Sequence, residues 1–266
     1  MAEHRQNLRA PMSATPATRR ITRGRGHTYL MDGQQADGVT WIIGQGVPKP
    51  NLITWAANET AGYAVNHWDE LAEAGPAERL RTLERARFAS RDGPGERGTA
   101  VHQLAHRLAA GEDVQVPEPL VGHVDAYLAF VEDWRPSEIL AETVVGNRKH
   151  RYMGTLDAVA HLGDTQVWLL DFKTAASGIW PEAALQLSAY RNAEFYLDAD
   201  GNEHPMPQVD VAGCVWLRAD GYDLIPVNTD PETFRVFLYA QQVAHFGSQP
   251  RETYVGDQLA HPERSE

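Results

Sequence analysis

The chain has 266 residues, 42% of them hydrophobic and 23% charged, which is enough to bury one sizeable core with an appendage. Its formal net charge of −12 excludes wholesale wrapping of nucleic acid, because non-specific affinity for phosphate comes mainly from Lys and Arg. One cysteine, Cys214, excludes an intramolecular disulfide, a four-cysteine zinc site and a cluster held by four cysteines, and no apolar run is long enough to span a bilayer.

In chain order, residues 1–26 read as a disordered basic tail, rich in Ser, Thr, Pro and Gly and holding Arg5, Arg9, Arg19, Arg20, Arg23 and Arg25 against Glu3. Residues 27–95 follow as an amino-terminal strand pair and helical region. "HTYLMDGQQADGVTWII" at 27–43 suggests two strands around the "DGQQADG" turn. "KPNLITWAANETAGYAVNHWDELAEAG" has helical spacing up to Gly75-Pro76, and a second helix is expected from about 77 to 91. Residues 96–250 form the expected core. "TAVHQLAHRLAAG" reads as a helix stopped by Gly111, and 120–134 as another halted before Pro136.

From 138 the period changes to that of strands. "EILAETVV", "RYMGTLDAVAHL" and "TQVWLLDFKT" predict an antiparallel meander joined by "GNRK" and "GD" turns. "WPEAALQLSAYRNAEFYL" reads as a helix with Pro181 in its first turn, "VDVAGCVWLRADGYDLIPVN" as two strands around Asp220-Gly221, and "DPETFRVFLYAQQVAHF" as a last helix capped by Asp230. Residues 251–266 are a carboxy-terminal tail. The element order implies an α/β (α+β layered) fold rather than a Rossmann alternation.

Strand charges carry the chemistry. Aspartate is depleted in strands and a buried charge is costly unless paired or metal-bound, yet the meander holds Asp157, Asp171 and Lys173. Parity puts Asp171 and Lys173 on one face and Phe172 on the other. Asp157 joins them if the hairpin pairs it with Asp171, which requires an odd-length loop such as Gly163-Asp164-Thr165 or a bulge. The repulsion of two such carboxylates is relieved by a divalent cation with hard oxygen ligands. Gln186 and Tyr190 share a helix face just downstream, His102 lies on a helix with His106 one turn later, and Glu142 sits on the first meander strand. His106, His123 and His161 read as structural.

The ordered set "GTAVH", Glu142, "GTLDAV", "LLDFKT" and "QLSAY", over roughly 98–195, resembles the RecB-like nucleases of the PD-(D/E)XK superfamily, and "GVTWIIGQGVPKPNLITWAANETA" resembles the amino-terminal part of phage-encoded exonucleases of that group. The resemblance implies a restriction-endonuclease-like core with a mixed central sheet containing the meander. It implies that Asp157, Asp171, the main-chain carbonyl of Phe172 and His102 hold Mg²⁺ or Mn²⁺. Lys173 would orient or help deprotonate the attacking water, Glu142 would assist as an outer acid, and Gln186 and Tyr190 would position DNA or the lysine. Arg148, Lys149 and Arg151 would grip the DNA backbone. With Cys214 alone, a member without an iron–sulfur cluster is implied. The expected function is a cytoplasmic, metal-dependent DNA exonuclease acting on DNA ends, single-stranded ones included, in recombination, repair or phage DNA metabolism, with recombination proteins as partners. A non-catalytic DNA-binding or partner-docking module on the same fold and an endonuclease of the same chemistry are the alternatives.

Overall fold

The computed structural model describes residues 17–24, 26–89, 98, 100, 101, 104, 107, 108, 112, 114–163 and 166–259. Strand structure lies inside the segment expected to be a tail as far as residue 26. β1 (Arg19–Arg23) pairs antiparallel with β2 (Gly26–Met31), which pairs with β3 (Gln34–Gly38). The β2–β3 turn is Asp32-Gly33, both at positive φ, the two-residue turn whose twist matches its strands.

Residues 39–43 are not strand. α1 (Val39–Gly46) buries Val39, Ile42, Ile43 and Gly46, and that spacing of three, one and three is helical. Gly46 is needed there, because a Cβ would run into the main chain of Ala240. The long helix expected next breaks at His67 into α2 (Pro50–Asn66) and α3 (Trp68–Glu73), and α4 (Pro76–Ala89) follows. In the stretch of the third expected helix, the described residues Gly98, Ala100, Val101, Leu104, Arg107 and Leu108 are helical, with Val101 fully buried. α5 (Val121–Trp134) stops at Arg135, which adopts a left-handed conformation ahead of Pro136.

The meander forms as expected: β4 (Ser137–Asn147), β5 (Tyr152–Leu162) and β6 (Gln166–Lys173). α6 (Glu182–Arg191) ends six residues before the predicted helix, and Phe195–Leu197 is instead strand β7, paired to β8 (Glu203–Pro205). β9 (Val211–Arg218) and β10 (Gly221–Pro226) form the second hairpin. α7 (Pro231–Ser248) is capped by Asp230, whose Oδ1 accepts the Thr233 N–H at 2.8 Å.

These elements make an α+β fold with a mixed central sheet flanked by helices. α1, α6 and α7 cover one face through Ile42, Leu187 and Phe237, while α5 covers the other through Phe130 against Leu170, Val215 and Leu217. Each such side chain, fully withdrawn from water, contributes about 1.5–3 kcal/mol. Among the described residues, no helix is long and apolar enough to cross a membrane.

β5 organises the sheet. β4 runs along one of its edges, from Asn147↔Tyr152 to Ser137↔His161. The other edge is shared: β3 pairs in parallel at Tyr152 and Met153, and β6 pairs antiparallel from Ala158 to Leu162. The sheet therefore forks at residues 154–157, between the end of β3 and the end of β6.

Candidate functional site

The fork gathers the charged strand residues. Three residues separate Leu162 from Gln166, and the register, Leu162↔Gln166 to Ala158↔Leu170, has the parity that sets Asp157 opposite Asp171 when continued by one pair, as loop parity leads one to expect. Beyond Ala158 the ladder opens, and the Asp157 side chain takes the place of a strand partner: its Oδ2 accepts the Phe172 N–H at 2.8 Å. A strand residue's N–H and C=O point to the same neighbour, so the Phe172 carbonyl is turned toward β5 as well.

The pleat is interrupted at the same level. Glu142, between Ala141↔Ala158 and Thr143↔Leu156, has φ +44°. Leu140 and Val145 consequently join the same core cluster, and so do Leu156 and Val159, although strict alternation would send each pair to opposite faces. Glu142 and Asp157 both line a small cavity of about 40 Å³ closed by Tyr127, Val101 and Phe172.

On the α6 side, Asp171 is 1% exposed. Its Oδ2 lies 2.6 Å from Lys173 Nζ, and its Oδ1 accepts from Gln186 Nε2 at 3.0 Å. Gln186 Oε1 accepts from Lys173 Nζ at 3.2 Å, and Gln186 Nε2 reaches the Tyr190 hydroxyl at 3.5 Å. Phe172 faces the opposite layer, edge-on to Tyr127 and Phe130. Tyr190 lies against β5 because position 154 is glycine; a Cβ there would occupy the place of its ring.

Burial pulls the Lys173 ammonium toward neutrality, but Asp171, by charge and hydrogen bond, and Asp157 more than offset it, so its pKa is raised. It is charged at neutral pH, which suits orienting water and stabilising anionic charge rather than accepting a proton. Burial, with Asp171 next, lifts the Tyr190 phenol well above its ordinary value, so the hydroxyl remains a neutral donor. Cys214, missed by sequence reasoning as a neighbour, faces Asp171 across the parallel β6–β9 pair, with Sγ 3.8 Å from Oδ2. Burial and Asp171 push its thiol up to about 12. Tyr29 was also missed: its hydroxyl is 3.0 Å from Thr155 Oγ1, two residues before Asp157. Neither contact has a local sequence signal, since both depend on pairings more than forty residues apart.

The structure does not bring the β4–β5 turn to the carboxylates. Tyr152 to Asp157 spans five residues, about 17 Å of strand. Arg148 is engaged by Asp32 at 3.1 Å and by Glu203, and stacks over Phe195. Lys149 is exposed, and Arg151 Nη2 lies 3.5 Å from the Gln35 carbonyl. His102 and His106 lie outside the described residues; of their neighbours, Gly98 lies against Thr174 and Val101 is in the cavity wall. Among the described residues, no three His, Cys, Asp or Glu side chains converge as a metal-holding group. Mg²⁺ does not require one, because it usually keeps several waters and takes one or two carboxylates plus substrate phosphate. Asp157, Asp171 and the Phe172 carbonyl supply hard oxygens of that kind, and a carboxylate has about four acceptor sites, so its present bonds leave room.

No family model matches the chain, and no curated protein matches it. A solved structure described as the crystal structure of SSO0001 is 11% identical, with 80% of this chain and 77% of that chain covered, at a TM-score of 0.33. The functional reading therefore rests on the chain's own residues.

Proposed function

We propose that the chain is a Mg²⁺- or Mn²⁺-dependent deoxyribonuclease, an exonuclease hydrolysing phosphodiester bonds at DNA ends on a restriction-endonuclease-like core, in the cytoplasm. The observation that carries this reading is the fork itself, where Lys173 pairs with a buried Asp171 that Gln186 ties to α6, while Asp157 on the neighbouring strand accepts the N–H of the intervening Phe172.

Asp157, Asp171 and the Phe172 carbonyl would hold the cation, which when bound lowers the pKa of water and neutralises charge on the phosphate. The Lys173 ammonium, fixed by Asp171 and Gln186, holds the attacking water and stabilises charge developing on the phosphoryl oxygens. Glu142, which lines the same cavity as Asp157, would assist as an outer acidic group. Gln186 fixes both partners of the ion pair, and Tyr190 backs Gln186.

A second reading has its own observation. Both Asp171 oxygens are satisfied within the protein, as in a purely structural ion pair, and this favours a non-catalytic DNA-binding or docking module. Incubating end-labelled linear DNA and closed circular DNA with Mg²⁺ or Mn²⁺, then with chelator, decides between them. The proposal expects cation-dependent degradation of the linear DNA alone; a cut circle would make the enzyme an endonuclease, and inert linear DNA with either cation would leave the binding module.

A further inference from the structure

A second feature lies next to the fork. An open groove of about 640 Å³ runs over the β2–β3 hairpin to the start of α1 and the end of α7, lined by His27, Tyr29, Gln35, Asp37, Trp41 and His245. The register Arg20↔Tyr29 and Thr22↔His27 puts Arg20 on the groove's face, where its Nη2 lies 3.4 Å from His27 Nδ1. Arg151 flanks the groove beside Gln35. In a chain of net charge −12 this is a local concentration of arginine. The acid in the groove is compensated: Asp37 Oδ2 accepts from Gln241 Nε2 at 2.8 Å and from His245 Nε2 at 2.7 Å.

The groove also offers ring surfaces. Trp41 is 38% exposed and stands 6.2 Å from the His245 ring, while His27 packs edge-on to Tyr29. Its floor reaches the fork, since the Tyr29 hydroxyl meets Thr155, two residues, or about 7 Å of strand, from Asp157.

We infer that this groove is the path by which a single nucleic-acid strand enters the fork, with Arg20 and Arg151 along its phosphates and Trp41 under a base. The inference rests on the nuclease reading and names the form of its substrate. A cleft of this volume belongs to the small-ligand range of about 300–1,000 Å³, whereas a duplex presents a major groove alone about 12 Å wide. Arginines following a backbone together with an aromatic platform are the two parts of a sequence-tolerant single-strand site.

The test is fluorescence anisotropy of a short labelled oligothymidylate with the full chain in chelator, so that binding is read without hydrolysis. Arg20→Ala and Trp41→Ala change exposed side chains, and each is checked for an unchanged melting curve. Arg218→Ala, at the β9–β10 turn and occupied by Asp220 and Asp223, serves as control. The expected result is binding by the wild type, about ten-fold weaker binding by each groove variant, and no change in the control. Equal binding by the groove variants, tighter binding of a matched duplex, or no binding by the wild type overturns the inference. Cleavage with cation is scored separately: groove-dependent binding without cleavage defeats the nuclease reading alone, and cleavage without groove dependence defeats the path alone.

Discussion

Lys173 and Asp171, 2.6 Å apart with the carboxylate buried, set the terms for any substitution at the site. Removing one partner of a buried pair costs about 3–5 kcal/mol, but the Lys173 side chain is 32% exposed and solvent screening reduces that figure. Lys173→Met is expected to lose cleavage and about 2 kcal/mol of stability, which is about 4–8 °C in Tm for a chain of this size. Because the Lys173 pKa is raised on folding, the pair's contribution is fully present below the unfolded lysine value of about 10.4 and is lost as pH rises through the folded value. Denaturant titrations should thus show a constant wild-type-to-variant gap from neutral pH to about 9, closing above about 10.4; a gap that closes near neutrality would contradict the pairing. Cys214, fully buried with its thiol at about 12, should resist alkylation in the native state and label on unfolding. Rapid native labelling would show that the layer behind Asp171 is open.

Elements meet closely at several glycines, Gly46, Gly122 and Gly146 among them, and Gly154 is the one that bears on the site. Gly154→Ala drives a methyl into the Tyr190 ring, and overpacking of this kind costs about 1–3 kcal/mol. Both Tm and cleavage should fall, since Tyr190 backs Gln186; full activity with an unchanged Tm would separate α6 from the chemistry. The meander and its register were legible because a three-residue loop fixes which side chains share a face, so Asp157 opposite Asp171 followed from counting. The helix at Val39–Gly46 was not: Val, Ile and Trp favour strands, and only burial against α7 selects the helical spacing already present at 39, 42, 43 and 46. β7 and β8 were missed because three-residue strands carry too little pattern to outweigh the helix running into them.

Across the whole molecule, charge argues for local rather than diffuse contact with DNA. Two groove arginines, Arg20 and Arg151, imply a slope of about −1.4 in log affinity against log salt for a single strand, at about 0.7 per phosphate neutralised. Anisotropy titrations over a range of salt measure it, and a slope several times steeper would mean that the acidic chain engages DNA over a much wider surface. The fork was the part of the architecture hidden from sequence reading. It depends on β3, near the start of the chain, pairing in parallel with β5 more than a hundred residues later, and no local periodicity encodes that choice. The basic amino-terminal segment was recognised, but its reading as a tail ending at 26 overlooked Arg19–Arg23, which becomes a strand only because β2 pairs with it.

The most direct measurement compares wild-type protein and Asp171→Asn, a near-isosteric change, on end-labelled linear DNA with Mg²⁺ or Mn²⁺ and with chelator. The account expects labelled nucleotides to be released by the wild type only when the cation is present, with the variant's rate lowered by at least a hundred-fold (about 2.7 kcal/mol in the barrier). Equal rates for the two proteins, or release that persists in chelator, would contradict it.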